Sequence, residues 1–188
     1  KYCIKNSSKI TYYFPFNLNI KSNSNTNISE DSKLNIVIPG NISSKRRDYI
    51  TILQGFKKVL KVRNDLRLVL LGKLDTNDVD IYNSIKEIKD LFPDNIIYWN
   101  QFIDEKDFEL YIESATLFVA PLNQYLYTDI SVEEYGNTKE TGVTSFIRKN
   151  NKFCLAPDYL LFEEDINHLI LKYKDTNEFS KILLGLKN

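Results

Sequence analysis

From residue 34 onward the sequence alternates short apolar runs with stretches of helical periodicity, and this alternation restricts the possible folds more than any other feature. The runs lie at 34–38, 66–71, 96–99, 116–120, 153–156 and 169–173 and are rich in Ile, Leu, Val and Phe. Brief runs of this kind read as strands buried on both faces. Between them, Tyr49, Ile52, Leu53, Phe56 and Leu60 recur at spacings of three and four. So do Ile81, Ile85, Ile88 and Phe92, then Phe108, Tyr111, Ile112 and Ala115, and finally Phe179, Ile182, Leu183 and Leu186. Each set lays one apolar stripe along a helix. Asp104 stands where a side-chain acceptor would cap the third helix, and Asp175 or Thr176 where one would cap the last. Alternating strands and helices imply right-handed crossovers, hence a Rossmann-like, doubly wound α/β domain with a parallel sheet of about six strands.

A chain of 188 residues with 43% hydrophobic side chains has apolar mass for one core, able to bury roughly 70% of its unfolded surface. Lys plus Arg number 25 and Asp plus Glu 25. That balance leaves no excess of cations for counterion release from nucleic acid. No apolar run reaches the length of a membrane span, so neither nucleic acid nor a transmembrane segment is expected. Cys3 and Cys154 are too few and too far apart for a cysteine-pair zinc site. A reducing compartment, the cytoplasm, fits best. The polar stretch 22–33 reads as a connector, and 11–20 is an aromatic, extended scrap interrupted by Pro15. With no methionine in the chain, the expectation is a processed chain or a piece of a longer one.

Ligands of open parallel sheets bind beyond the carboxyl ends of the strands, so the loops there hold the candidate site. After the first strand, Gly40 permits a sharp turn, and Lys45, Arg46 and Arg47 sit just before a helix start. Cations there oppose the helix dipole and call for an anion; a diphosphate would satisfy both them and the amides. The alternative is a solvated basic turn paired with Asp48 or Asp65. Neither a GxGxxG fingerprint nor a P-loop is present. After the fourth strand, a long polar loop leads to Glu133, Gly136, Thr138, Lys139, Thr141 and Gly142, ahead of a helix beginning near Thr141. Its amides would form a second anion seat, with Glu133 accepting from polyol hydroxyls and Lys139 balancing phosphate charge. The alternative is an ordinary charged surface loop. After the third strand, Phe102 and the backbone at Ile103 could hold a flat base, although Trp99 and Phe102 also suit a core. His168, the only histidine, has no Ser or Cys partner in view and supports no nucleophilic triad.

In this order, IVIPG, the basic loop running into RRDYITILQGF, LRLVLLG, IIYWNQFI, IESATLFVAP, EEYGNTKETG and KFCLAPD resemble the C-terminal, nucleotide-sugar-binding half of retaining group 1, or family 4, GT-B glycosyltransferases. The resemblance runs from about residue 34 to 186. It implies that Arg47 takes the place of the family's diphosphate-binding Lys, with Lys45 and Arg46 as near alternatives, whereas Asn41 replaces the usual Arg after the glycine. It further implies a donor-sugar role for Glu133, while Thr141 stands where the family carries a second, ribose-binding glutamate. Residues 1–33 then become the connector and tail of an absent N-terminal acceptor domain, and 34–188 the donor domain.

The implied parent reaction is transfer of a hexose from a nucleoside diphosphate sugar to a glycan or lipid acceptor, with configuration kept, as in polysaccharide biosynthesis. Arg47, Arg46 and Glu133 would be its catalytic residues; Gly40, Lys45, Phe102, Ile103, Gly136, Thr138, Lys139, Thr141 and Gly142 would hold the donor. No cofactor or metal is called for, any membrane association would come through the absent domain, and the isolated piece would bind but scarcely turn over. The rival expectation is a non-catalytic Rossmann-like module for a protein partner or a glycan.

Overall fold

The computed structural model describes residues 33–137, 139 and 141–186. The readings of 1–32 and of Thr138 fall outside them. Strand β1 is Leu34–Pro39, β2 Leu66–Lys73, β3 Ile96–Trp99, β4 Ala115–Val119, β7 Cys154–Pro157 and β8 Ile170–Tyr173. These six, close to the six apolar runs, form one sheet in the order β3-β2-β1-β4-β7-β8, every neighbouring pair parallel. The chain starts mid-sheet, winds outward through β2 and β3, and returns to lay β4 on the free side of β1. That reversal puts the topological switch point at the carboxyl ends of β1 and β4, where doubly wound sheets generally bind their ligands.

Helices α1 (Tyr49–Leu60), α2 (Val79–Leu91) and α6 (Thr176–Leu184) share a core with Ile36, Ile38, Leu68 and Leu70 on one sheet face. On the other face, α3 (Glu105–Ser114), α4 (Val143–Asn150) and the short α5 (Glu164–Asn167) pack with Val37, Val69, Leu71 and Phe118. Alternate residues of one strand thus feed opposite cores, which is why these runs are mostly apolar instead of strictly alternating. Each fully buried Leu, Ile or Phe removes enough apolar area from water to contribute roughly 1.5–3 kcal/mol.

Asp104 caps α3 by accepting from the Asp107 amide at 3.0 Å, and Asp175 caps α6 through the amides of Asn177 and Glu178 at 2.8 and 2.9 Å. Two elements differ from the sequence reading. The polar loop after β4 contains an antiparallel hairpin, β5 (Tyr125–Tyr127) with β6 (Val132–Glu134), short enough for its period-2 pattern to pass for a loop. The connection between β7 and β8 carries only the one-turn α5, at whose end His168 sits exposed. Among the described residues, no helix is long and apolar enough to cross a membrane.

Candidate functional site

Gly40 ends β1 with φ of +99°, a conformation open to glycine and strained for other residues. Its carbonyl presses on Gly72 of β2, where a Cβ would lie 2.2 Å from the Gly40 oxygen. The sequence reading missed Gly72, though a glycine inside an apolar strand is itself a sign of close backbone approach. The chain then passes Ile42, whose amide donates to the Lys73 carbonyl at 3.0 Å, and Ser44, whose amide donates to Asp78 Oδ2 at 2.6 Å. These bonds fix the root of the basic turn.

Arg47 is half-buried, and its Nη1 donates to the Gly40 carbonyl at 3.1 Å and to the Tyr49 hydroxyl at 3.0 Å. Tyr49 is itself buried, and burial raises its phenol above the ordinary value, outweighing the Arg47 charge that acts the other way. Lys45 and Arg46 are exposed. Among the described residues, neither they nor Arg47 has a carboxylate within ion-pair distance. The two carboxylates that might have neutralised the turn are committed elsewhere. Asp48 caps α1 by accepting from the Thr51 amide at 3.0 Å, and Asp65 is held by Arg63. Asp48 also fills part of the anion seat that the sequence reading left open at this helix start.

The turn is joined to the loop after β4 through backbone. Arg47 pairs with Leu122 in an antiparallel bridge, the Asp48 amide donates to the Pro121 carbonyl at 2.8 Å, and the Asn123 amide donates to the Arg46 carbonyl at 3.0 Å. Asn123 Nδ2 adds a bond to the Ser44 carbonyl at 3.2 Å, and the Tyr159 hydroxyl donates to the Leu122 carbonyl at 2.8 Å. Loops following β1, β4 and β7 are therefore tied together at the switch point, where Lys45, Arg46 and Arg47 lie. Asn123 and Tyr159 carried no recognisable signal, because their roles depend on neighbours distant in sequence.

The second half of the expected site is arranged differently. Glu133 and Lys139 pair with each other, so neither charge is offered outward as the sequence reading had it. The amides of Asn137 and Lys139 both donate to the Glu134 carbonyl, at 3.2 and 3.1 Å, and the Gly136 amide donates to the Lys139 carbonyl at 2.9 Å. Gly136, with φ of +84°, lies where a Cβ would come within 2.4 Å of the Leu161 carbonyl oxygen. The amides of Gly136, Asn137 and Lys139 are thereby spent within the turn. Helix α4 begins at Val143 with Gly142 as its cap residue, and a Cβ on Gly142 would meet open space. Thr141 accepts from Val143 N through its hydroxyl at 3.4 Å and from Thr144 N through its carbonyl at 3.2 Å. No hydrogen bond joins Arg46 or Arg47 to Thr141 or Gly142 among the described residues.

At the end of β3, Trp99 packs edge-on against Tyr111 at 5.2 Å and is half-buried against the core of its sheet face. Ile103 is half-buried against the same core. Phe102 is 78% exposed, so the core alternative fails for it. No group of three or more His, Cys, Asp or Glu residues that could hold a metal ion occurs among the described residues.

Solved structures share this fold. The C-terminal domain of a group 1 glycosyl transferase, LpcC from Francisella tularensis, superposes with a TM-score of 0.57 at 15% identity over 80% of this chain and 73% of that one. This is a GT-B C-terminal-domain fold. A UDP-forming alpha,alpha-trehalose-phosphate synthase from Burkholderia xenovorans in complex with glucose-6-phosphate matches at TM-score 0.58 and 9% identity, over 81% of this chain and 35% of that one. A trehalose-6-phosphate structure from E. coli, bound with UDP-2-fluoro glucose, matches at 0.56 and 12%, over 81% and 36%. The chain spans about a third of the length of the last two. No protein-family model matches the sequence, and no curated protein does. In the GT-B half, the Gly40–Arg47 turn occupies the loop after the first strand and the hairpin the loop after the fourth.

Proposed function

We propose that this chain is the donor-binding domain of a retaining glycosyltransferase that moves a hexose from a nucleoside diphosphate sugar to a glycan or lipid acceptor. One observation carries the reading. Among the described residues, Lys45, Arg46 and Arg47 stand without carboxylate partners at the switch point of a GT-B-type domain. Departure of the leaving group builds negative charge on the diphosphate, and fixed cations stabilise a transition state most where charge develops. Arg47, locked by Gly40 and Tyr49, is preorganised for that task, while Arg46 and Lys45 supply mobile charge.

Glu133 would meet the donor sugar once Lys139 turns from it to phosphate. The acceptor site would belong to a further domain of a longer cytoplasmic protein, and the chain alone would bind donor with little turnover. Mutual pairing of Glu133 with Lys139 favours a second reading, a non-catalytic Rossmann-like module for a protein partner or a glycan.

Thermal denaturation with uridine or guanosine diphosphate separates the two. Ligand at a hundred times its dissociation constant stabilises by about 2.7 kcal/mol, which is several degrees for a domain of this size. A scaffold shows no shift with any nucleoside diphosphate at millimolar concentration.

A further inference from the structure

Lys73, the last residue of β2, projects a fourth cation from the strand edge nearest the basic turn. Its neighbour Gly72 touches the Gly40–Asn41 peptide, and its own carbonyl accepts from the Ile42 amide at 3.0 Å. The next residue, Leu74, donates from its amide to the Trp99 carbonyl at 2.9 Å. The backbone at Lys73 is thereby held between the extension of β1 and the end of β3. Its side chain is exposed and has no carboxylate partner among the described residues. What it does have is an aromatic ring: Nζ lies 5.2 Å from the centroid of Phe102, the exposed residue just beyond β3.

An exposed flat ring beside a mobile ammonium can recognise a flat ligand that offers both a stacking face and an acceptor. We propose that Lys73 is a specificity-determining residue for the nucleobase, reading the carbonyl oxygen at C4 of a pyrimidine or C6 of a purine on a base stacked against Phe102. The inference rests on the donor-binding reading above. An ammonium carries three donors and no acceptor. It therefore favours the exocyclic carbonyl oxygens O4 of uracil and O6 of guanine over the exocyclic amino groups that cytosine and adenine carry at the corresponding positions. Stacking on Phe102 is indifferent to base identity, because every base has a π-face. Selectivity then falls to Lys73. Among the described residues no ion pair holds Lys73, and its four-carbon stem lets Nζ leave the ring face for the edge of an incoming base.

Calorimetric titration of the chain with UDP, GDP, ADP and CDP tests this, using Lys73→Met and Lys73→Arg beside the unaltered protein. UDP and GDP should bind about tenfold more tightly than ADP and CDP, the size of one charge-assisted hydrogen bond. Lys73→Met should erase that preference by weakening UDP and GDP alone, and Lys73→Arg should restore it. Phe102→Ala should weaken all four alike. A preference that survives Lys73→Met overturns the proposal, as does an equal loss for all four diphosphates, which would place the cation on phosphate. An unaltered chain that binds the four with equal affinity also overturns it while leaving the donor-binding reading in place. Failure to bind any of them removes both.

Discussion

The guanidinium of Arg47 packs against Gly40: a Cβ at Gly40 would come within 2.6 Å of Nη2, and the Gly40 carbonyl accepts from Nη1 at 3.1 Å. Glycine at the end of β1 and arginine at the start of α1 thus form one unit. The side chain that would bind diphosphate also closes the turn that positions it.

Replacing Gly40 by Ala should disrupt this unit twice, by forcing a left-handed backbone on a residue with a Cβ and by displacing Arg47. Backbone strain of this kind costs roughly 1–3 kcal/mol. Thermal or urea unfolding should show the loss, accompanied by weakened diphosphate binding.

Arg46 and Arg47 should separate in the same assays. Arg47→Ala removes two hydrogen bonds from a half-buried site and should lower stability by about 1–3 kcal/mol as well as weakening diphosphate. Arg46→Ala strips an exposed side chain and should leave stability within about 0.5 kcal/mol while still weakening diphosphate. Equal loss of stability in both variants would show that the turn is held some other way.

Tyr173 is buried, its ring edge-on to Phe179 at 5.3 Å, and its hydroxyl has no hydrogen-bond partner among the described residues. Removing a buried, unpaired hydroxyl while keeping the ring should be neutral or stabilising, by up to about 1 kcal/mol. Chemical unfolding of Tyr173→Phe near neutral pH checks this.

Burial also raises the Cys154 thiol and the phenols of Tyr49 and Tyr173 above their ordinary values of 9.0 and 10.0. The unfolded chain therefore loses these protons first as pH climbs. Their contribution to stability is complete below the ordinary thiol range and is lost as pH rises through 9.0 and then 10.0. Each group adds up to about 1.4 kcal/mol per pH unit to the decline. Urea unfolding between pH 8 and 11 should steepen accordingly, and Tyr173→Phe should make it shallower.

Much of the fold was legible because the strands of the main sheet carry consecutive apolar residues and each long helix carries a stripe, so Ile36, Val37, Leu68 and Val69 announced a sheet covered on both faces. Gly40 and the cations after it were legible for a similar reason: turn chemistry and charge are local properties. Pairing between Glu133 and Lys139, and the clasp of Arg47 on Tyr49, were not. Both are side-chain choices among several partners of similar strength, decided by where the hairpin and the buried phenol come to rest. Asp48 was read as a possible neutraliser of the turn, whereas its place directly before α1 makes capping its shortest-range option.

The central claim is that the basic turn at the switch point holds a diphosphate, and calorimetry of UDP against uridine tests it most directly. Using exposed Lys45 and Arg46 avoids disturbing the fold. UDP should bind at least about tenfold more tightly than uridine, the contribution of a charge-assisted contact, and changing both Lys45 and Arg46 to Ala should collapse most of that gap with uridine affinity unchanged. Equal affinity for UDP and uridine in the unaltered chain, or a gap untouched by the double substitution, would contradict the account.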